Sequence, residues 1–133
     1  MKLDTINPDS LFPPRGYNHG IRGHGELVFV AGQIGWNAQQ RFESDDFVAQ
    51  VEQALANIVA VLAEADARPE HLVRLTWYIT DKREYLARLP EVGGVYRRTI
   101  GRHFPAMTLV QVAALLEDRA KVEIEATAVV PPA

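Results

Sequence analysis

Apolar residues recur at intervals of three and four along residues 45–64, which is the period of an amphipathic helix. Ser44 comes just before this stretch, and Asp45 and Asp46 open it, so the pattern predicts an N-cap followed by an acidic first turn. We expect a helix over residues 45–64 that packs its apolar face on a sheet. The apolar positions are Phe47, Val51, Leu55, Ile58 and Leu62.

A strand and a second helix are predicted after the first helix. Residues 72–80 are rich in β-branched and aromatic side chains, which is typical of a central strand. Residues 81–88 predict a helical turn. Pro90 suits the first position of a second helix, and Gly101 suits the position just past its end, so we expect this helix to end near Ile100.

Two alternating apolar runs, residues 107–112 and 121–130, lie on either side of a short polar connector. They predict an antiparallel hairpin or two neighbouring strands. Glu123 and Glu125 share one face of the second run. Such a face is usually the hydrated side of a sheet. The alternative is that one of the two carboxylates lines a pocket.

The beginning of the chain predicts short strands. Residues 1–16 are interrupted by prolines and a glycine, and we expect at most a short edge strand near residues 3–6. Residues 17–22 and 27–31 predict two strands joined as a hairpin by a glycine-containing turn. The second of these strands is apolar on both faces, which predicts burial on both sides.

The element order predicts an α+β domain, residues 1–133, with two helices packed on one face of a mixed sheet. We expect Met107 and Leu109 on the opposite face, which no further predicted helix is available to cover. Closed symmetric association would bury such a face, so we expect an oligomer.

The composition is that of an ordinary globular protein, with 47% hydrophobic and 23% charged residues. The chain has no cysteine, which excludes disulfides, a thiolate nucleophile and cysteine-bound zinc. The formal net charge is -3, and the basic cluster at residues 97–103 fits the end of a helix, so we expect no nucleic-acid partner. No apolar run approaches the roughly 20 residues that span a bilayer. We therefore expect a cytoplasmic protein that has no membrane partner.

Few chemical motifs are present. GxSxG, P-loop and GxGxxG patterns are absent, and the four histidines lack a short metal-ligand spacing, so we expect no metal site. General acid and base chemistry by a carboxylate remains, and Glu123 is the candidate if an interface encloses its strand face.

Two segments of the chain resemble the RidA/YjgF family: GYNHGIRGHGELVFVAGQI near the start, and FPAMTLVQVAAL with KVEIEATAVV near the end. The matching positions are Tyr17, residues 31–33, residues 104–106 and the KxEIEA pattern at residues 121–126. The resemblance implies a chorismate-mutase-like α+β fold and a homotrimer with a central barrel, with small-metabolite clefts between adjacent subunits. It also implies hydrolysis of enamine or imine metabolites to a 2-keto acid and ammonia, without cofactors or metals.

The resemblance also implies roles for individual residues. Tyr17 would line the cleft, the backbone at Leu109 would face the reacting group, and Glu123 would hold or activate the attacking water. Met107 stands where deaminating members have an arginine that grips the substrate carboxylate, and a thioether cannot replace a guanidinium. Ala31 replaces a common serine, and Leu109 replaces a frequent cysteine. The implied pocket is therefore more apolar.

Three functions remain open on this basis. The first is an enamine or imine deaminase whose substrate range is altered by Met107. The second is a non-catalytic trimer that binds a small metabolite, and the third is an endoribonuclease, which the acidic charge balance disfavours. Arg22, Arg102 or His19 could supply the charge that Met107 lacks.

Overall fold

The computed structural model describes residues 3–132, and a mixed four-stranded sheet organises them. The elements in chain order are β1 (Asp4–Ile6), β2 (Gly20–Arg22), β3 (Glu26–Ile34), α1 (Phe47–Glu64), a 3-10 turn (Pro69–His71), β4 (Leu72–Ile79), α2 (Lys82–Ala87), α3 (Leu89–Thr99), β5 (Ala106–Gln111) and β6 (Val122–Val130). The strand order in the sheet is β3, β6, β4, β5, and only the β4–β5 pair is parallel. The predicted α+β class with a mixed sheet is confirmed.

Helix α1 begins slightly later than the sequence predicts. Its N-cap is Asp46, because the Asp46 carboxylate accepts a hydrogen bond of 3.0 Å from the backbone N–H of Ala49. Ser44 instead accepts a bond of 2.9 Å from the backbone N–H of Asp46 and so shapes the turn before the helix. By length and composition α1 would also suit a membrane span, but its apolar face packs on the sheet with Leu55 and Ile58 wholly buried.

The two helices predicted after α1 are confirmed, and their observed ends lie within one or two residues of the predicted ones. The predicted turn at residues 81–88 is α2, and α3 has Pro90 in its first turn. Gly101 has a φ of 95°, the left-handed conformation that a glycine adopts cheaply just past a helix end.

The predicted strand pairing is wrong in two places. Strands β5 and β6 are not neighbours, since β4 lies between them and pairs with both. Strand β2 pairs with β1, and β3 pairs with β6, so the predicted hairpin of the two early strands does not form. The cause is that β6 is the best-buried apolar strand, and it forms ladders with partners from distant parts of the chain.

The face of the sheet opposite the helices is exposed at its outer strands. On β3, Leu27 is 57% exposed and Phe29 is 72% exposed, and on β5, Val110 is 40% exposed. The prediction that β3 is buried on both faces is therefore wrong for the single chain. The prediction of an open apolar face stands, but other residues form that face.

Met107 and Leu109 lie on the helix-covered side of the sheet, which corrects their predicted placement. In the parallel ladder Met107 is opposite Leu75 and Leu109 is opposite Trp77, and both partners belong to the buried core. Side chains of directly paired residues point to the same face. Met107 and Leu109 accordingly pack against the core under the helices.

Candidate active site

A cleft of about 420 Å³ opens beside the edge strand β5, and we call it the edge cleft. Its walls come from the loop before β2, the strands β4 and β5, the helix α2, one side of α3 and the segment just before β5. The residues that line it are Arg15, Gly16, Tyr17, Trp77, Tyr85, Leu89, Val92, Gly93, Tyr96, Arg97, Phe104, Met107 and Leu109.

Local sequence patterns explain how these walls form. On α3 the lining positions Leu89, Val92, Gly93, Tyr96 and Arg97 are separated by three, one, three and one residues, so they share one side of the helix. On β5 the lining positions Met107 and Leu109 alternate onto one face.

The loop that carries Tyr17 is held beside β5 by its neighbour Asn18. The backbone N–H of Asn18 donates a bond of 3.1 Å to the carbonyl of Pro105, and the Asn18 side chain donates to the carbonyl of Phe104. Tyr17 therefore reaches the cleft from a loop that is tied to the edge strand.

Two phenols of the edge cleft, those of Tyr85 and Tyr96, are neutral groups. Burial raises the pKa of Tyr85 and raises that of Tyr96 further, so neither ring ionises near neutral pH. The Tyr96 hydroxyl donates a bond of 2.7 Å to the carbonyl of His103. Together with the apolar Met107 and Leu109, these groups make the cleft predominantly apolar.

Glu123 lies in a second group, with Ala31 and Gly32, which we call the bulge site. The β3–β6 register shifts between Val30 and Gln33, which places a bulge at residues 31–32. A Cβ atom added to Gly32 would lie only 2.1 Å from Glu123 Oε2. The carboxylate therefore rests against the backbone of the bulge, in space that only a glycine leaves open.

The neighbouring carboxylate, Glu125, has a different partner. The Tyr78 hydroxyl donates a bond of 2.6 Å to Glu125 Oε1. This bond, together with burial and the charges of Glu125 and Glu123, raises the pKa of Tyr78. Glu125 is thus engaged with Tyr78, while Glu123 lies over the bulge.

The edge cleft and the bulge site lie on opposite sides of the sheet. Glu123 is paired with Tyr78 on β4, whereas Leu109 is paired with the adjacent Trp77. Because successive residues of a strand point to opposite faces, Glu123 and Leu109 do so as well. The single chain therefore brings together Tyr17, Met107 and Leu109 in one group and Ala31 and Glu123 in another.

The candidate replacements for the missing arginine lie elsewhere. Arg22 pairs with Asp4 at 3.5 Å, and Arg102 is exposed beyond the end of α3. His19 packs edge-on against Tyr17, with ring centroids 5.4 Å apart, and its Nε2 is 2.9 Å from the carbonyl of Phe12.

Arg15 and Arg97 are the arginines that line the edge cleft, and the sequence interpretation missed both. The helical spacing of Arg97 from Val92 and Gly93 was the signal that could have identified it. Within residues 3–132, no three His, Asp or Glu side chains come close enough together to hold a metal ion.

The fold and the two groups of residues define an α+β protein with an open sheet face and a cleft at its edge strand. Residues 8–130 match the model of the family described as Endoribonuclease L-PSP. The chain belongs to this family, which is the RidA/YjgF family that its motifs indicate.

Individual relatives agree with this assignment. The chain is 39% identical over 110 residues to "Protein DfrA" of Myxococcus xanthus, covering 79% of this chain and 77% of that protein. It is 32% identical over 108 residues to the 2-iminobutanoate/2-iminopropanoate deaminase of Salmonella typhimurium, covering 79% and 80%. A crystal structure of the Rid family protein YyfB from Yersinia pestis has a TM-score of 0.86 at 32% identity, covering 98% of this chain and 100% of that one.

Proposed function

We propose that the protein hydrolyses enamines or imines to a carbonyl compound and ammonia, and that Met107 gives it an altered substrate range. The observation that carries this proposal is the position of Glu123, whose carboxylate lies over Gly32 at an open bulge. The deaminase name of the Salmonella relative supports the reaction class. We also propose that the reaction takes place in the cytoplasm.

A homotrimer would complete the site. The edge cleft and the bulge site lie on opposite sides of one sheet, so a second copy must bring its bulge site to the edge cleft of the first. The open sheet face, which carries Leu27, Phe29 and Val110, supplies an apolar surface that such an assembly would bury in a central barrel. Sedimentation at micromolar concentration tests this, and a monomer would contradict it.

The chemistry needs one base and one water molecule. Glu123 takes a proton from water while the oxygen adds to the imine carbon, and Glu123 then returns that proton to the nitrogen to give a carbinolamine. The C–N bond breaks as Glu123 transfers the hydroxyl proton to the leaving nitrogen, so that ammonia leaves, the C=O bond forms and the carboxylate is regenerated. Tyr17 and the backbone of Leu109 line the side of the cleft that would hold the substrate.

Glu123→Gln tests this assignment. The amide keeps the shape of the side chain but is a poor base, so turnover should fall by about a hundredfold or more. Glu125→Gln, two residues along the same face, is the matched control and should keep turnover. An amino acid oxidase can generate each imine in place, with semicarbazide trapping what remains unhydrolysed. Unchanged turnover in Glu123→Gln would contradict the catalytic role.

Met107 sets the expected substrate range. Without an arginine at this position the protein should hydrolyse 2-aminoacrylate-type imines poorly, and Met107→Arg should raise activity on small imino acids. A desolvated carboxylate–arginine pair could contribute about two decades of rate or affinity. Rapid wild-type turnover of these small substrates would show that Met107 does not define the substrate class.

The alternative is a trimeric protein that binds a small metabolite without reaction. The apolar lining around Met107 and Leu109 supports ligand binding without reaction as well as it supports hydrolysis of a different substrate. In that case no imine is turned over, while a ligand still binds and Glu123→Gln changes only its affinity. Ribonuclease activity has the least support, because the net charge is -3.

A further inference from the structure

Five of the thirteen residues that line the edge cleft are aromatic. They are Tyr17, Trp77, Tyr85, Tyr96 and Phe104. The rings of Tyr96 and Phe104 stack with centroids 5.5 Å apart and planes 9° from parallel. A cleft of about 420 Å³ with such walls lies within the size range that encloses a ligand with a ring. Flat apolar groups pack well between aromatic faces and edges.

The charge in the edge cleft is positive. Arg15 and Arg97 line it, and no Asp or Glu is among the described residues that do so. The guanidinium of Arg97 bends back along α3, since a Cβ atom added to Gly93 would lie 3.6 Å from its Nη1. The next residue, Arg98, instead points to Glu52, with a nitrogen–oxygen distance of 3.4 Å.

We propose that the edge cleft binds a ligand with both an aromatic ring and a carboxylate. The ring packs on the aromatic wall, and the carboxylate pairs with Arg97 beside Arg15. The inference rests on the proposed function when the ligand is a substrate, which is then an aromatic 2-imino acid or its enamine. Arg97, on α3, thereby supplies the positive charge that Met107, on β5, lacks.

Three ketones distinguish the contribution of the aromatic ring to the affinity from that of the carboxylate. Phenylpyruvate has both, pyruvate lacks the ring, and phenylacetone lacks the carboxylate. Calorimetry on the full chain should show phenylpyruvate binding at least about tenfold more tightly than either of the others. Equal affinity for all three would overturn the proposal.

Variants assign the contacts. Arg97→Gln should weaken the binding of phenylpyruvate by about ten- to a hundredfold, because its carboxylate loses a charged hydrogen bond. The affinity for phenylacetone, which has no carboxylate, should not change. Arg98→Gln removes the same charge one residue away and should have no effect.

Fluorescence gives an independent measurement of the location. The chain has two tryptophans, and only Trp77 lines the cleft, so phenylpyruvate should quench Trp36→Phe but not Trp77→Phe. Quenching that survives in Trp77→Phe, or an Arg97→Gln effect that is equal for phenylacetone, would overturn the inference. Circular dichroism of each variant checks that it is folded.

The outcome for the reaction is separate from the outcome for the ligand. If no imine is turned over but phenylpyruvate binds preferentially, the deaminase proposal fails and the aromatic-anion cleft stands. If aliphatic imines are turned over and phenylpyruvate does not bind, the deaminase proposal stands and the inference about the ligand fails.

Discussion

Gly32→Ala is expected to abolish the proposed hydrolysis by moving the Glu123 carboxylate. The added Cβ atom would lie 2.1 Å from Glu123 Oε2, 2.8 Å from its Cδ and 2.9 Å from its Cγ. Ordinary contact begins near 3.4 Å, so the carboxylate oxygen has to withdraw by more than an ångström. The φ of Gly32 is not in the left-handed region, so alanine introduces a displaced side chain and no backbone strain.

The magnitudes of the two effects differ. A misplacement of about 1 Å at a catalytic group can cost about a hundredfold in rate, so the kcat for a hydrolysed imine should fall by that factor. The stability cost should be small, because the end of a glutamate side chain is flexible and an altered rotamer costs about 1 kcal/mol. Urea denaturation measures the second quantity and the imine assay the first.

A double-mutant cycle connects the loss to Glu123. In the background of Glu123→Gln, Gly32→Ala should cost little further activity, because both changes disable the same group. Gly94→Ala is the control: its Cβ would lie 3.6 Å from Arg98 Nη1, and alanine in this helix should leave kcat unchanged. If Gly32→Ala kept wild-type kcat, or if the losses multiplied in the double variant, the assignment of Glu123 would be refuted.

Two further predictions concern stability and assembly. The hydrogen bond from Arg88 and that from the N–H of Ala49 hold the pKa of Asp46 below its usual 3.8, so Asp46→Ala should destabilise the fold by about 1 kcal/mol at pH 7. A depressed pKa stabilises the fold above the unfolded pKa and loses that effect as pH falls through the folded value, so urea titrations should show the difference shrinking below about pH 4. Phe29→Asp should dissociate the proposed trimer in sedimentation, because Phe29 is 72% exposed on the open sheet face. Phe12→Asp, at an 86% exposed loop position, should leave the proposed trimer intact. A trimer that survives Phe29→Asp would place the interface elsewhere.

Local signals were sufficient to predict the helices. The three-and-four spacing of apolar residues depends only on neighbours in sequence, and α1 and α3 lie within a residue or two of their predicted bounds. The cap of α1 was harder to assign, since Ser44 and Asp46 are both good N-cap residues and only the geometry shows which one reaches the N–H of Ala49.

Strand pairing was harder because it depends on partners that are distant in sequence. Residues 107–112 and 121–130 look like a hairpin, yet β4 separates the two strands that they form. The same missing information put Met107 and Leu109 on the wrong side of the sheet, since alternation tells which residues share a face but not which face is covered.

The residues that line the candidate site were also hard to predict, because they come from parts of the chain that are distant in sequence. A comparison of motifs finds Met107 where an arginine is expected and predicts a more apolar pocket, with Arg22, Arg102 or His19 as candidates for the missing charge. The folded chain has Arg97 on α3 and Arg15 on the loop lining that same pocket, from elements that no single motif contains. A charge in a cleft acts through its distance from the ligand, not through its place in the chain. The proposed recognition of a carboxylate by Arg97 therefore does not require an arginine at position 107.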